Sequence, residues 1–424
     1  MSQFWKLIDN KCQPDDLVRL FDKLEKVSKS TWICLNGYSQ SKKVDAVKIY
    51  GNFFLCFYCL LTCLRFLTIA LVQDEIIRIV LGDTFIGHSE HMLLNIMCFG
   101  TSAILVSVKT AITYGEFRSR LQILQFFSHL RSVKFSTFHS KQVNDQKFRR
   151  LIFLLGRSLH TFIYIACSSI AIIHIQAMIR NPQISREIFL FQLIWLPWAN
   201  GTFYLAGLAV YWFFIHVVIF ISFSVQLMDS AIDATRELNR EMMTNEHEIK
   251  VIERKLYRLY KSQNDHYNQI DLFLDNFSSS TFLSFFMGSF FADLSFFCGN
   301  YVGTGNFVID FVLMFLGTII IANILQYALF ASGSSKKIEN FRKMIYHILR
   351  TSSNYHAMSL SLKIKIKFLT TLERMSIKKI GFYVGTLFCM DKYYCVIFLL
   401  ENISLYLLFV SNITKNQPAN LEMD

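Results

Sequence analysis

The sequence predicts an all-α membrane protein with seven transmembrane helices, a cytoplasmic N-terminus, an extracellular C-terminus and long cytoplasmic helical extensions. Three observations predict it. Of 424 residues, 53% are hydrophobic and 17% charged, with 42 Phe against 4 Pro, which is more apolar surface than a soluble chain buries. Several apolar windows reach the roughly 20 residues a helix needs to cross the hydrocarbon core, where every backbone group must be satisfied internally. Basic residues gather in alternate loops, as they do where positive loops stay inside.

Residues 1–48 carry Lys6, Lys11, Arg19, Lys23, Lys26, Lys29, Lys42, Lys43 and Lys48, so this end is expected in the cytoplasm. It is polar and unlike a signal peptide, so the first span is expected to direct insertion itself. Residues 49–227 hold the first four spans. The first is placed at 51–72 and is followed by an acidic outer loop with Asp74, Glu75, Asp83 and Glu90. The second covers 91–115, with Lys109 placed to snorkel toward the basic loop of Arg118, Arg120, Arg131 and Lys134. The third covers 151–178. Residues 188–226 are apolar for longer than one crossing, and Trp195, Pro197 and Trp198 before Asn200-Gly201-Thr202 predict an outer lid over 188–202 that turns into the fourth span.

From 228 to 275 the chain is charged, with Ile249, Ile252, Leu256, Leu259, Tyr267 and Ile270 recurring mostly at three- and four-residue steps. This is a cytoplasmic amphipathic helix whose stripe is expected to pack on the protein's own helices. Spans five and six lie within 276–332, and 333–380 is basic and cytoplasmic. Residues 359–368 alternate like a strand, yet lack a partner strand and are expected to be helical or interfacial. Residues 381–413 are read as a re-entrant or amphipathic segment followed by span seven, leaving 414–424 outside. The sequons at Asn200 and Asn412 both fall outside.

Nucleotide-binding and metalloprotease motifs are absent, so no cofactor and no enzyme activity is expected. The net charge of +12 is explained by loop bias and requires no nucleic acid partner. Cys56 and Cys59 form a CxxC inside the first span, where they read as core. His91, His160, His174 and His216 are scattered over different spans and read as hydrogen-bonded interior groups rather than metal ligands. No internal repeat or Pro-broken span supports a transporter.

The last span carries Glu401, Asn402, Tyr406 and Asn412, more polarity than an anchor needs. Phe398, Asn402, Leu405, Phe409 and Asn412 recur at four- and three-residue steps and share one helix face, with Glu401 on its border. Glu401 either draws cations or is buried, and then is neutral or paired with Lys392 or a neighbouring helix.

Leu372-Glu373-Arg374, the run Gly381-Phe382-Tyr383-Val384-Gly385-Thr386-Leu387-Phe388 before Met390-Asp391, and the end of the last helix resemble the arthropod gustatory and odorant receptor superfamily. Gustatory members end in Thr-Tyr, five apolar residues and Gln-Phe. Here Leu405-Tyr406 and Asn412-Ile413 flank residues 407–411, so only the Tyr is kept.

The resemblance implies a chemosensory ligand-gated non-selective cation channel, gustatory in style, in the plasma membrane of sensory neurons. Its partners would be a small-molecule tastant or odorant, permeating cations, membrane lipid and three related subunits in a homo- or heterotetramer. The last helix would line the pore, with Phe409 as constriction and Asn412 as a polar ring. The stripe over 249–270 and the basic segment before Gly381 would become intersubunit packing. The family's ligand pocket, carried over by the resemblance, would match Asn95, His174, Trp198, Tyr204, Asp293, Phe297, Tyr301, Asp310 and Met314, and the two acids favour a polar ligand such as a sugar or amine. A seven-helix G-protein-coupled receptor is the rival reading, with the opposite topology.

Overall fold

The computed structural model describes residues 12–39, 46–87, 91–135, 142–180, 185–244, 249–304, 306–354, 360–377, 379–385 and 387–416. Helices dominate them: α1 (Pro14–Ser30), α2 (Ala46–Leu71), α3 (Glu75–Val80), α4 (His91–Phe117), α5 (Leu124–Ser132), α6 (Gln142–Ile179), α7 (Arg186–Thr244), α8 (Ile249–Phe297), α9 (Phe307–Asn354), α10 (Leu362–Ile377) and α11 (Lys392–Asn416). Six of these, α2, α4, α7, α8, α9 and α11, are long and apolar enough to cross a membrane. The third expected span falls on α6, a 38-residue helix whose apolar stretch among the described residues, Ser168–Ile179, is shorter than a crossing.

The lid expected over 188–202 is not a separate piece. Helix α7 runs unbroken for 59 residues through Pro197 and Gly201, because one proline removes a single ladder donor and the turns on either side carry the helix past it. The sequon at Asn200 therefore sits mid-helix. Thr202 is fully buried, its hydroxyl bonded to that of Thr62 at 2.7 Å.

The charged extension is two helical arms, the end of α7 and the start of α8, each continuous with its span. The stripe of Ile252, Leu256, Leu259, Tyr267 and Ile270 is buried within the chain itself. Packing on the protein's own helices thus takes up this stripe, which is unavailable for the intersubunit packing that the resemblance implied. The alternating 359–368 run enters helix α10 from Leu362 onward. Its Phe368 packs edge-on against Tyr260 at 6.1 Å, and Arg374 bridges Asp271 of α8 at 2.8 Å.

Between α10 and α11 the structure has a two-stranded antiparallel hairpin, β1 (Tyr383–Val384) and β2 (Phe388–Cys389), where a re-entrant or amphipathic segment was expected. Gly385 supplies the reversal at φ +63°. Lys379 and Asp391 close the base of the hairpin at 2.8 Å.

Helix α1 begins with Pro14 and the acids Asp15 and Asp16, which suit the positive end of its dipole. It buries Leu17, Phe21 and Leu24 against the bundle, with Phe21 against Phe127 and Phe135. Three buried polar groups fasten the segment that follows. Glu116 accepts the amides of Leu35 and Asn36 at 2.9 and 2.7 Å. Tyr38 donates to His216 Nε2 at 2.8 Å, the ring's Nδ1 being turned to the Trp212 carbonyl. Lys109 does not snorkel to water: its ammonium is buried and donates to the Trp32 carbonyl and Asn52 Oδ1 at 3.1 and 3.0 Å.

Glu25 completes this docking, accepting from Lys29, Arg131 and the Tyr38 amide at 2.7, 2.8 and 3.2 Å. Burial alone would raise its pKa, but these partners outweigh burial and hold the carboxyl below its usual value. A depressed carboxylate stabilises the folded state above its unfolded pKa, and that contribution is lost as pH falls through the folded value. Glu25→Ala is expected to cost about 2 kcal/mol of docking and to lower hydrogen-exchange protection at residues 33–38. The wild-type segment should lose the same protection on acidification, and the variant should show a flatter pH profile.

Candidate functional site: a cavity between helices and the last helix

A cavity of about 220 Å³ lies between α4, α6, α7, α8 and α9. Its wall is made by Ile104 and Leu105, Ile170, Phe203, Val210 and Phe214, Phe285 and Phe291, and Leu316, Ile319, Ile320 and Ile324. Two glycines keep the space open. A Cβ on Gly207 would meet nothing within 4 Å, and one on Gly288 would meet only Ile324 Cδ1 at 3.2 Å and Ile320 Cγ2 at 3.8 Å.

The polar groups on the wall are few and mostly occupied. Thr281 donates to the Phe277 carbonyl at 2.8 Å, and Asn323 to the Ile319 carbonyl at 2.9 Å. Tyr327 donates to the Tyr383 carbonyl of the hairpin at 3.3 Å. Ser284 Oγ is buried without a partner and so offers an orienting hydrogen bond to a guest. An apolar wall with one such group suits a small, largely apolar molecule.

Two wall residues reach toward the last helix. The Phe285 ring lies 4.2 Å from that of Phe398 on α11. Tyr327 grips the hairpin that leads into α11. Both residues thus line the cavity and touch the last helix or its hairpin at once.

None of the nine residues assigned to the pocket by topology lines this cavity. Asn95 is buried and donates to Asp83 Oδ1 and the His91 carbonyl, each at 2.9 Å. His174 is buried among Phe66, Phe85 and Phe203, with Nδ1 on the Ile170 carbonyl and Nε2 unpartnered. Trp198 stacks on Tyr58 at 4.6 Å, and Tyr204 is exposed. Asp293 is buried with Oδ2 unpartnered. Phe297 packs between Tyr301 and Phe409. Asp310 accepts the Thr304 amide at 2.8 Å and holds the turn before α9. A Cβ on Gly299 would meet Met314 Cγ at 2.8 Å, so Met314 packs against Gly299 just past the end of α8.

Helix α11 is the least covered span: 11% of its apolar window is buried, against 72% for α7. Its inner side holds Phe398 against Phe285, and Phe409 against Phe290 and Phe297 at 6.0 and 5.3 Å. Asn402 donates to the Phe398 carbonyl at 2.7 Å, while its Oδ1 is buried and unpartnered. The face of Phe398, Asn402, Leu405 and Phe409 is therefore turned toward the chain's own α8. The side chain of Asn412 lies outside the described residues.

The opposite side of α11 is open and carries two seams. Tyr393, Val396, Leu400, Ile403 and Leu407 form an exposed apolar one. Beside it run Ile397, Glu401, Ser404, Leu408 and Ser411, again at four- and three-residue steps, all exposed except half-buried Ile397. Ser404 and Ser411 bond their own helix at 2.8 and 3.0 Å. Glu401 forms no ion pair with any described residue.

No family model and no curated protein matches the sequence. Solved structures do match the fold. The insect olfactory receptor OR5 from Machilis hrabei, in complex with eugenol, superposes with a TM-score of 0.66 at 9% identity, over 94% of this chain and 99% of that one. A second structure of that receptor gives 0.62 at 9% identity, over 86% and 89%. This chain therefore has the fold of an insect olfactory receptor along nearly its whole length.

Proposed function

We propose that the chain is one subunit of a chemosensory ligand-gated cation channel, assembled as a tetramer in the plasma membrane of sensory neurons. The observation that carries the reading is the polar seam on the open side of α11. A carboxylate in a spanning helix is costly to leave facing lipid, and further copies of this chain around a water path would cover that side. The exposed apolar residues Leu362, Ile366, Leu369 and Ile377 of α10 give the cytoplasmic arms a face for the same copies.

On this reading the pore is lined by Glu401, Ser404, Leu408 and Ser411 rather than by the face of Phe398 and Phe409, and Leu408 is the constriction that closes by dewetting. The cavity is the ligand site. Its wall favours an apolar or aromatic molecule over a sugar or amine, in keeping with the similar structure solved in complex with eugenol. Filling it moves α11 through Phe285–Phe398 and through Tyr327 and the hairpin.

Currents recorded from cells expressing the full chain test this. Small aromatic ligands should open a cation current that sugars and amines do not. Leu408→Ser should leak without ligand, because a hydroxyl ring keeps the constriction wet. A tag at Asp424 should be accessible on intact cells; a hidden tag with no current from a surface-expressed chain would favour a G-protein-coupled receptor instead.

A further inference from the structure

We infer that Glu401 is the cation-selecting residue of this channel, binding permeant monovalent and divalent cations at the inner approach to Leu408. The assignment rests on the channel reading above. Glu401 is the tenth residue of the 25-residue α11, far from either end of the span. Its carboxylate is exposed on the open side of the helix, on the same seam as Ser404 and Leu408 and one turn before Ser404. The nearby cations are engaged or remote: Lys379 is held by Asp391, and Lys392 lies nine residues back at the start of the helix.

The neighbouring polar side chains cannot neutralise it either. The Ser404 hydroxyl donates to the Leu400 carbonyl and the Asn402 amide to the Phe398 carbonyl, so neither donor is committed to Glu401. Among the described residues nothing pairs with this carboxylate, which is left for something outside the subunit. Repeated around a central path, it makes a ring of carboxylates just inside an apolar constriction. Such a ring concentrates cations and repels anions in a narrow, poorly screened space.

Glu401→Gln in the full chain, expressed in cells and opened by an aromatic ligand, should lower cation-over-anion permeability about tenfold, equivalent to about 1.4 kcal/mol. The shift is read from the reversal potential on diluting sodium chloride. Block by calcium or magnesium should weaken in parallel, and Glu401→Asp should retain both properties. A conducting Glu401→Gln channel with unchanged permeability and unchanged divalent block overturns the assignment and leaves the channel reading standing. If Glu401→Gln is silent at the surface, Glu401→Asp decides: wild-type selectivity supports the assignment. Silence of Glu401→Asp and Lys392→Gln as well indicates a pairing role between copies and overturns it. Absence of any current from surface-expressed wild-type chain overturns both readings together.

Discussion

Gly207→Phe is expected to abolish the response to a cavity ligand while leaving the chain at the cell surface. Adding a ring to a packed core usually strains it by about 1–3 kcal/mol. Gly207 is different, because its Cβ would meet no atom within 4 Å and the space beyond belongs to a cavity of about 220 Å³. The ring fills the room a guest needs, buries apolar surface in place of the guest and touches no hydrogen bond. A loss of at least about 100-fold in potency, or about 2.8 kcal/mol, should appear in the dose–response curve with surface labelling unchanged. Gly288→Ala is the graded control: its methyl would press on Ile324 Cδ1 at 3.2 Å and narrow the cavity without filling it. An unaltered response in Gly207→Phe would move the ligand out of this cavity, toward the outer aromatic group around His174 and Trp198.

The contrast between Gly207 and the nine expected pocket residues shows what the sequence could and could not convey. Helical periodicity is a property of the chain itself, so six of the seven expected spans, the arms and the helical nature of α10 were legible. A cavity is an absence of atoms between several helices, and no local pattern records it. Gly207, in a run of Leu and Ala, looks like any small residue of a membrane helix. Polar residues are the visible signal instead, and several of them are committed to structure: Asp310 to the Thr304 amide, Asn95 to Asp83, Lys109 to Trp32 and Asn52. Spacing on the last helix defines a set of faces, but spacing alone does not say which face turns inward. Phe398 and Phe409 follow the aromatic partners Phe285, Phe290 and Phe297 of α8, and the charged face is left outside.

Asp83→Ala is expected to remove most of the protein from the cell surface. Sequence position placed Asp83 in an acidic outer loop, yet its side chain is fully buried at the centre of a knot that fixes residues 78–85 onto the helices. Oδ2 takes both Arg78 Nε and Nη2, at 3.0 and 2.6 Å, while Oδ1 takes the Phe85 amide and Asn95 Nδ2 at 3.0 and 2.9 Å. Gln192 binds the Asp83 carbonyl at 2.8 Å, and Arg65 binds the carbonyls of Leu81 and Gly82, both at 2.6 Å, between the rings of Phe66 and Trp195. Removing the carboxylate leaves the largely buried Arg78 guanidinium without its ion-pair partner and orphans two buried donors. Breaking a buried pair from one side typically costs about 3–5 kcal/mol, a large share of a marginal stability. Asp83→Asn should be milder, since it can still accept from Phe85 and Asn95 while losing the charge for Arg78. Because the knot holds the turn that seats Phe85 against His174, any Asp83→Ala protein that reaches the surface should show faster hydrogen exchange at residues 81–87. Normal surface levels with unchanged exchange there would mean the knot is dispensable.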